Sequence, residues 1–443
     1  MTKINKNDNI NWKFNTLGMR FSLCDNTKTA YKLMTSAFFC YADSSVFFIK
    51  GGKMLTSLAF IFLLGLILGS LFTKLKLPAL LGMIITGIIL GPYVLNLLDS
   101  SILSISSSLR QLALVIILTR AGLAMDIEDL KKAGRPAFLM CFLPALFEIT
   151  GTVLIAPKLL GITVLEAAII GSVIAAVSPA VVVPRMLKLI EEKRGTGKSI
   201  PQLIMAGASV DDVFVIVLFT SFLGFEKGGG LSAIKLVYVP VSIIVGIIVG
   251  LIAGYILVRL FKKFHMRDSV KVVILLSVSF LLLELEKKIG EKVPFSALIA
   301  VMSIGVGILK NYDVLAKRLS AKFSKLWVAA EILLFVLVGA TVDIKYAVAA
   351  GVLALILILG ALIFRMAGVF CCLLGSRLDT KERAFTMMAY TPKATVQAAI
   401  GGIPLAMGLA CGELTLTVAV LSILVTAPLG AFAIDYSYKK LLK

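Results

Sequence analysis

The chain has 443 residues, 59% of them hydrophobic and only 16% charged, with a mean hydropathy of +0.99. Soluble domains sit near half apolar and a quarter charged, so this composition speaks for lipid as part of the solvent and against a soluble enzyme. The net charge of +20 is spread over short loops between apolar runs. That is the positive-inside pattern of a membrane protein, not the basic face of a nucleic-acid binder.

Residues 1–53 are polar and carry eight Lys or Arg against three Asp. The stretch Lys50-Gly51-Gly52-Lys53-Met54 back-translates readily to a purine-rich ribosome-binding site followed by a start codon. Met54 is therefore the expected natural start, and 1–53 a translated leader. The competing reading is a real tail with an extra helix near 33–49.

Thirteen apolar runs follow, at 54–73, 77–98, 102–125, 136–157, 162–185, 201–225, 232–261, 269–285, 293–310, 325–342, 346–375, 384–410 and 412–435. Runs of ~20 residues match the ~30 Å hydrocarbon layer. The loops after runs 3, 5, 7, 9 and 11 hold the basic clusters Lys131/Lys132/Arg135, Lys188/Lys193/Arg194/Lys198, Lys262/Lys263/Arg267, Lys317/Arg318/Lys322 and Arg377/Lys381/Arg383. The tail, 436–443, adds Lys439, Lys440 and Lys443. The loops after runs 2, 4, 10 and 12 are nearly free of positive charge. A multi-pass protein of the cell membrane with a cytoplasmic C-terminus is expected. The six cysteines show no metal spacing, and the single histidine, His265, sits in a basic loop; packing and solvation explain them, and no cofactor is expected.

An internal repeat is visible. Ala79-Leu80-Leu81 through Gly87 aligns with Ala297-Leu298-Ile299 through Gly305, and Gly122-x-x-x-Asp126 aligns with Gly339-x-x-x-Asp343, at offsets of 218 and 217 residues (297 − 79; 343 − 126). Six runs precede run 7 and six follow it. An odd linking helix inverts the second repeat, which is the plan of secondary transporters. The expectation is an all-α membrane protein of about 13 transmembrane helices, with repeat 1 over 54–225, a linker helix over 232–261 and repeat 2 over 269–435.

Runs 5 and 12 are interrupted in corresponding places, by Ser178-Pro179 and by Thr391-Pro392-Lys393. A mid-helix proline leaves carbonyls without partners, which lipid tolerates only where they face protein or water. Two symmetric breaks predict part-unwound helices crossing at the midplane, with dipole ends available to an ion. Run 6 carries Asp211-Asp212. A carboxylate at bilayer centre is costly, and neighbours ~100° apart on a helix leave one free for the cavity while the other finds a partner. Ser209 shares the face of Asp212. Such hard oxygens suit small alkali cations, and a carboxylate takes a proton instead. Glu148 in run 4 and Arg365 in run 11 stand 217 residues apart, the repeat offset, so they are expected to pair across the pseudo-twofold axis. Lys393 is a further candidate for neutralising the aspartates, and Glu331 and Glu284 are taken as structural.

The segments LPALLGMIITGIILGP (77–92), SPAVVVP (178–184), Asp211-Asp212 and TPKATVQAAIGG (391–402) resemble the monovalent cation:proton antiporter superfamily, most closely its sodium/hydrogen exchanger domain-containing subgroup. The likeness implies a thirteen-helix homodimer in which a core domain moves against a dimerisation domain. It implies that Asp212 binds the Na+ or Li+ and the proton, with Asp211 beside it, and that Arg365 pairs with Glu148. A K+/H+ antiporter of the same fold is the alternative, because all three cations accept oxygen ligands. An intramembrane aspartyl protease would carry its acids on different helices, and a cation channel would show a filter or a ring of charges. Neither pattern is present in the sequence.

Overall fold

The computed structural model describes residues 54–125, 127–227, 233–289 and 295–442; the expected leader over 1–53 lies outside them. Among the described residues every regular element is helical. Helices α1 (Met54–Lys74), α2 (Ala79–Leu90), the short α3 (Ser100–Ser104), α4 (Ser106–Ala124), α5 (Ile127–Met140) and α6 (Leu143–Leu160) come first. Then follow α7 (Val164–Ile174), α8 (Pro179–Glu191), α9 (Ile200–Lys227) and α10 (Ala233–Lys263). The second half holds α11 (Asp268–Ile289), α12 (Ala297–Asn311), α13 (Asp313–Ala340) and α14 (Ile344–Leu373). Last come α15 (Thr380–Ala389), α16 (Thr395–Ile400), α17 (Ile403–Ala406) and α18 (Gly412–Leu441).

Local chemistry sets many of the ends. Thr163 with Glu166 and Asp379 with Glu382 form capping boxes at the starts of α7 and α15, each satisfying two orphan backbone donors. Asp343 caps α14 by accepting from Lys345 and Tyr346, and Gly161 closes α6 at φ 67°. The run expected at 136–157 is two helices, because Pro144 at the start of α6 cannot continue the turn before it. Helix α13 starts at Asp313 instead of 325, since hydropathy is blind to a polar helical extension.

Nine helical spans among the described residues are long and apolar enough to cross a membrane, two of them interrupted (Gly134–Leu160 across α5 and α6, Val164–Glu191 across α7 and α8), and three shorter apolar spans cover Ala79–Leu90, Ala297–Asn311 and Thr395–Ala406. Helix α10 leaves Ile244, Ile248, Ile252 and Ile256 exposed with no polar counterpart, as a face turned to hydrocarbon does.

The helices pack as two bundles. One joins α1, α2, α4 and α10 to α13, and the other joins α5 to α9 with α14 to α18. In the first, a Cβ on Gly87 would lie 1.9 Å from the Val336 carbonyl oxygen and one on Gly339 2.1 Å from that of Ile84. A Cβ on Gly122 would lie 2.0 Å from the Met302 carbonyl oxygen and one on Gly305 2.6 Å from the Leu123 nitrogen. Only glycine lets these backbones touch. In the second bundle α6 packs along α14. The Phe364 ring fills the space beside Gly151, and Phe147 that beside Gly368.

Candidate functional site: a charged cluster at two crossed helix breaks

Helix α7 stops at Ile174 and α8 begins at Pro179; α15 stops at Ala389 and α16 begins at Thr395. The unwound segments between them meet, with the Ser178 N–H donating to the Pro392 carbonyl at 2.7 Å. Every buried backbone group freed by the breaks needs a partner, and side chains supply them. Gln397 Nε2 donates to the Ala176 carbonyl at 2.8 Å, and Arg365 Nε to that of Tyr390 at 2.8 Å. Lys393 Nζ donates to Ile174 and Arg365 Nη1 to Ala175. The Val177 N–H donates to Asp211 Oδ2 at 2.9 Å, and the Lys393 N–H to Thr426 Oγ1 at 3.0 Å. Two cations thus sit at the carbonyl end of α7, the end of a helix dipole that favours positive charge.

The same cations hold the acids. Arg365 bridges Glu148 Oε2 and Asp211 Oδ2, each at 2.9 Å, and Lys393 Nζ reaches Glu148 Oε1 at 2.5 Å. These four side chains are 0% exposed. Glu148 and Arg365 therefore meet, but Arg365 serves a second acid as well. Lys393, expected beside the aspartates, neutralises Glu148 instead, because the Ile174 carbonyl draws its ammonium to the end of α7.

Asp212 stands apart. Its side chain makes no ion pair or hydrogen bond among the described residues, its Oδ1 is a buried acceptor without a partner, and it is 8% exposed. Four other buried oxygens also lack partners: Asp211 Oδ1 on α9, and Ser178 Oγ, Thr395 Oγ1 and Gln397 Oε1 at the breaks. Unpaired oxygens in a buried site mark a place where something else supplies the positive end. Pro179 takes the first turn of α8, where a missing N–H costs nothing. Thr391 Oγ1 donates to the Met388 carbonyl at 2.9 Å and so closes the last turn of α15. Of Ser209 only the backbone is described, within α9. Glu284 pairs with Lys287 at 3.7 Å near solvent, and His265 is exposed.

Tyr390 and Gln397 escaped the sequence reading. The Arg365 guanidinium lies 5.2 Å from the centre of the Tyr390 ring, and Tyr390 Oη donates to the Met140 carbonyl at 3.1 Å. Gly207 makes room, since a Cβ there would be 2.3 Å from Tyr390 Oη. The available signal was a tyrosine and a glutamine flanking a Thr-Pro-Lys break inside an apolar run.

Two broken helices crossing beside a buried charge cluster, inside a membrane helix bundle, define a secondary transporter. The comparisons agree. The family described as "Sodium/hydrogen exchanger, transmembrane" matches residues 58–435. Sodium/hydrogen exchanger 9B2 of Homo sapiens is 33% identical over 400 residues, covering 86% of this chain and 72% of that protein. Sodium/hydrogen exchanger 9B1 of Homo sapiens is 31% identical, covering 83% and 73%. The solved structure of the sodium proton antiporter MjNhaP1 from Methanocaldococcus jannaschii shares the fold, with a TM-score of 0.77 at 20% identity, covering 88% of this chain and 98% of that one. The chain belongs to the sodium/hydrogen exchanger family, whose members are membrane transporters.

Proposed function

We propose that this protein exchanges Na+ (or Li+) for H+ across the cell membrane by alternating access, with cation and proton competing for Asp212. The observation that carries the reading is the charge count. Arg365 and Lys393 balance Glu148 and Asp211, so the cluster is neutral without Asp212. An ionised Asp212 leaves one uncompensated negative charge inside the membrane, which is costly. One proton or one monovalent cation removes it, and the two cannot be held together without a surplus of positive charge. That is the requirement for obligatory exchange of one for one. Asp212, Asp211 Oδ1 and Ser178 Oγ are the oxygens proposed to replace the cation's hydration shell, with Ser209 a further one.

Thirteen transmembrane helices in two inverted repeats are part of the proposal. The contacts are reciprocal in the way such symmetry requires. Gly87 and Gly122 have Gly305 and Gly339 at offsets of 218 and 217 residues (305 − 87; 339 − 122), and each pair's neighbours are exchanged accordingly. The pairs Phe147/Phe364 and Gly151/Gly368 repeat the offset of 217 (364 − 147; 368 − 151) around Glu148 and Arg365. The two bundles supply the moving parts for alternating access, one holding the breaks and the other able to stay fixed. A homodimer with a cytoplasmic C-terminus follows from the family likeness and the basic loops.

The deciding experiment is collapse of a preset pH gradient in proteoliposomes, followed by a dye as chloride salts are added in turn. Sodium and lithium should collapse it. A response to potassium equal to that to sodium makes the protein a K+/H+ antiporter, and no response to any of the three refutes exchange.

A further inference from the structure

A second charged feature lies away from the crossing. A cavity of about 420 Å³ opens where three of the basic clusters contribute a residue each, walled by Arg135, Lys198, Ser199, Gly375, Ser376 and Arg377. Three separate segments meet there: α5, the turn between α8 and α9, and the link from α14 to α15. Lys198 is already neutralised by Glu382 at 2.7 Å. Arg135 and Arg377 are not, for neither makes an ion pair or hydrogen bond among the described residues, and no wall residue is acidic. Nearby, Arg383 Nε is a buried donor without a partner, while its Nη2 holds the Ser376 carbonyl.

Two guanidinium groups without an acidic partner among the described residues face one cavity and repel each other, and the arrangement is relieved by an anion between them. The cavity is within the size range of small-molecule sites, too roomy for a bare halide. Guanidinium forks match phosphate oxygens two at a time, and anionic lipids present phosphate at this membrane face when basic loops are cytoplasmic. We infer that this cavity is a binding site for a phosphate-bearing anion, a lipid headgroup or a soluble phosphate, held by Arg135 and Arg377. An occupant ties together three segments of the bundle that contains both broken helices, including the one that runs straight into α15. The inference is independent of which cation is carried.

The test is thermal unfolding of the purified full chain in detergent, with phosphatidylglycerol, phosphatidylcholine or inorganic phosphate added. Binding well above its dissociation constant should raise the wild-type midpoint by about 3 °C relative to phosphatidylcholine. Arg135→Gln/Arg377→Gln should lose at least half of that rise, while Arg135→Lys/Arg377→Lys keeps part of it. A response to phosphatidylglycerol alone identifies a lipid headgroup, and a response to inorganic phosphate as well identifies a soluble phosphate. If the double variant is not monodisperse, each single Gln substitution is measured and should lose part of the rise. A wild type indifferent to both anions, or a Gln variant that responds as the wild type does, overturns the site.

Discussion

The backbone N–H of Ser178 donates to the carbonyl of Pro392 at 2.7 Å, so the two interrupted helices are joined at their unwound points. The bond links residues 214 positions apart (392 − 178) and fixes where the half-helix ends lie. From it follow the positions of the side chains that complete the broken ladder. Arg365, Lys393 and Gln397 take the freed carbonyls, and the first two are thereby placed to neutralise Glu148 and Asp211. Backbone repair and charge balance are done by the same groups. Asp212 is left as the acid of the group without an ion pair among the described residues.

Asp212→Asn should abolish cation-dependent proton movement while leaving a folded, membrane-inserted protein, because none of the cluster's ion pairs among the described residues involves its carboxylate. Asp211→Asn should instead reduce stability, since it strands half of the Arg365 fork, and should shift the pH profile through the field at its neighbour. Dye-reported exchange in proteoliposomes, with size-exclusion profiles as the folding control, reads both. Substantial exchange in Asp212→Asn would place the site elsewhere.

Competition at one carboxylate has a sign. As pH falls through the pKa of Asp212, protons occupy the site and the apparent cation affinity weakens, by up to about tenfold per pH unit for a one-proton exchange. Above that pKa the affinity should level off. Cation KM measured between about pH 6 and pH 8.5 tests this, and a flat dependence across that window argues for separate proton and cation sites.

Much of this is legible in the sequence, because lipid makes certain residues conspicuous. A proline in an apolar run, a carboxylate pair at mid-membrane, and opposite charges separated by the repeat offset are all improbable without a purpose. Hence Pro179, Pro392, Asp211, Asp212 and the meeting of Glu148 with Arg365 could be read from sequence. The partner of Lys393 could not, since it depends on where the end of α7 points. Tyr390 and Gln397 have no periodicity or charge to set them apart, and their contacts arise only from the crossing. The start of α13 at Asp313 was hidden because its first turns are polar.

Close packing across the proposed axis gives a stability test. A Cβ on Gly151 would lie 2.5 Å from Phe364 Cγ, and one on Gly368 2.9 Å from Pro144 Cα. Neither neighbour is the free end of a flexible chain. Gly151→Ala and Gly368→Ala should each destabilise by about 1–3 kcal/mol through overpacking, visible as lower thermal midpoints. Midpoints equal to wild type would mean that α6 and α14 part easily and do not form a rigid seam.

The final prediction concerns which double substitution heals the cluster. Removing one partner of a buried pair costs about 3–5 kcal/mol, because the other charge is stranded. Glu148→Gln strands Lys393, whereas Arg365 keeps Asp211; Arg365→Gln strands Asp211, whereas Glu148 keeps Lys393. Each single change should therefore sharply lower the thermal midpoint. Glu148→Gln/Lys393→Met removes one charge of each sign and leaves the Arg365–Asp211 bridge whole, so it should recover most of the loss. Glu148→Gln/Arg365→Gln also balances on paper, but it leaves Lys393 and Asp211 without their partners and should recover less. The difference between the two double-mutant cycles measures the wiring; equal recovery would show that only total charge matters. The same wiring bears on energetics. On the proposed mechanism, with both cations held by acids throughout, only Asp212 would change occupancy, and one cation would exchange for one proton without net charge. A potential of 100 mV, worth about 2.3 kcal/mol per elementary charge moved, should then leave the flux nearly unchanged. Flux that climbs steeply with potential would mean that Lys393 or Asp211 gives up its partner and carries a second proton.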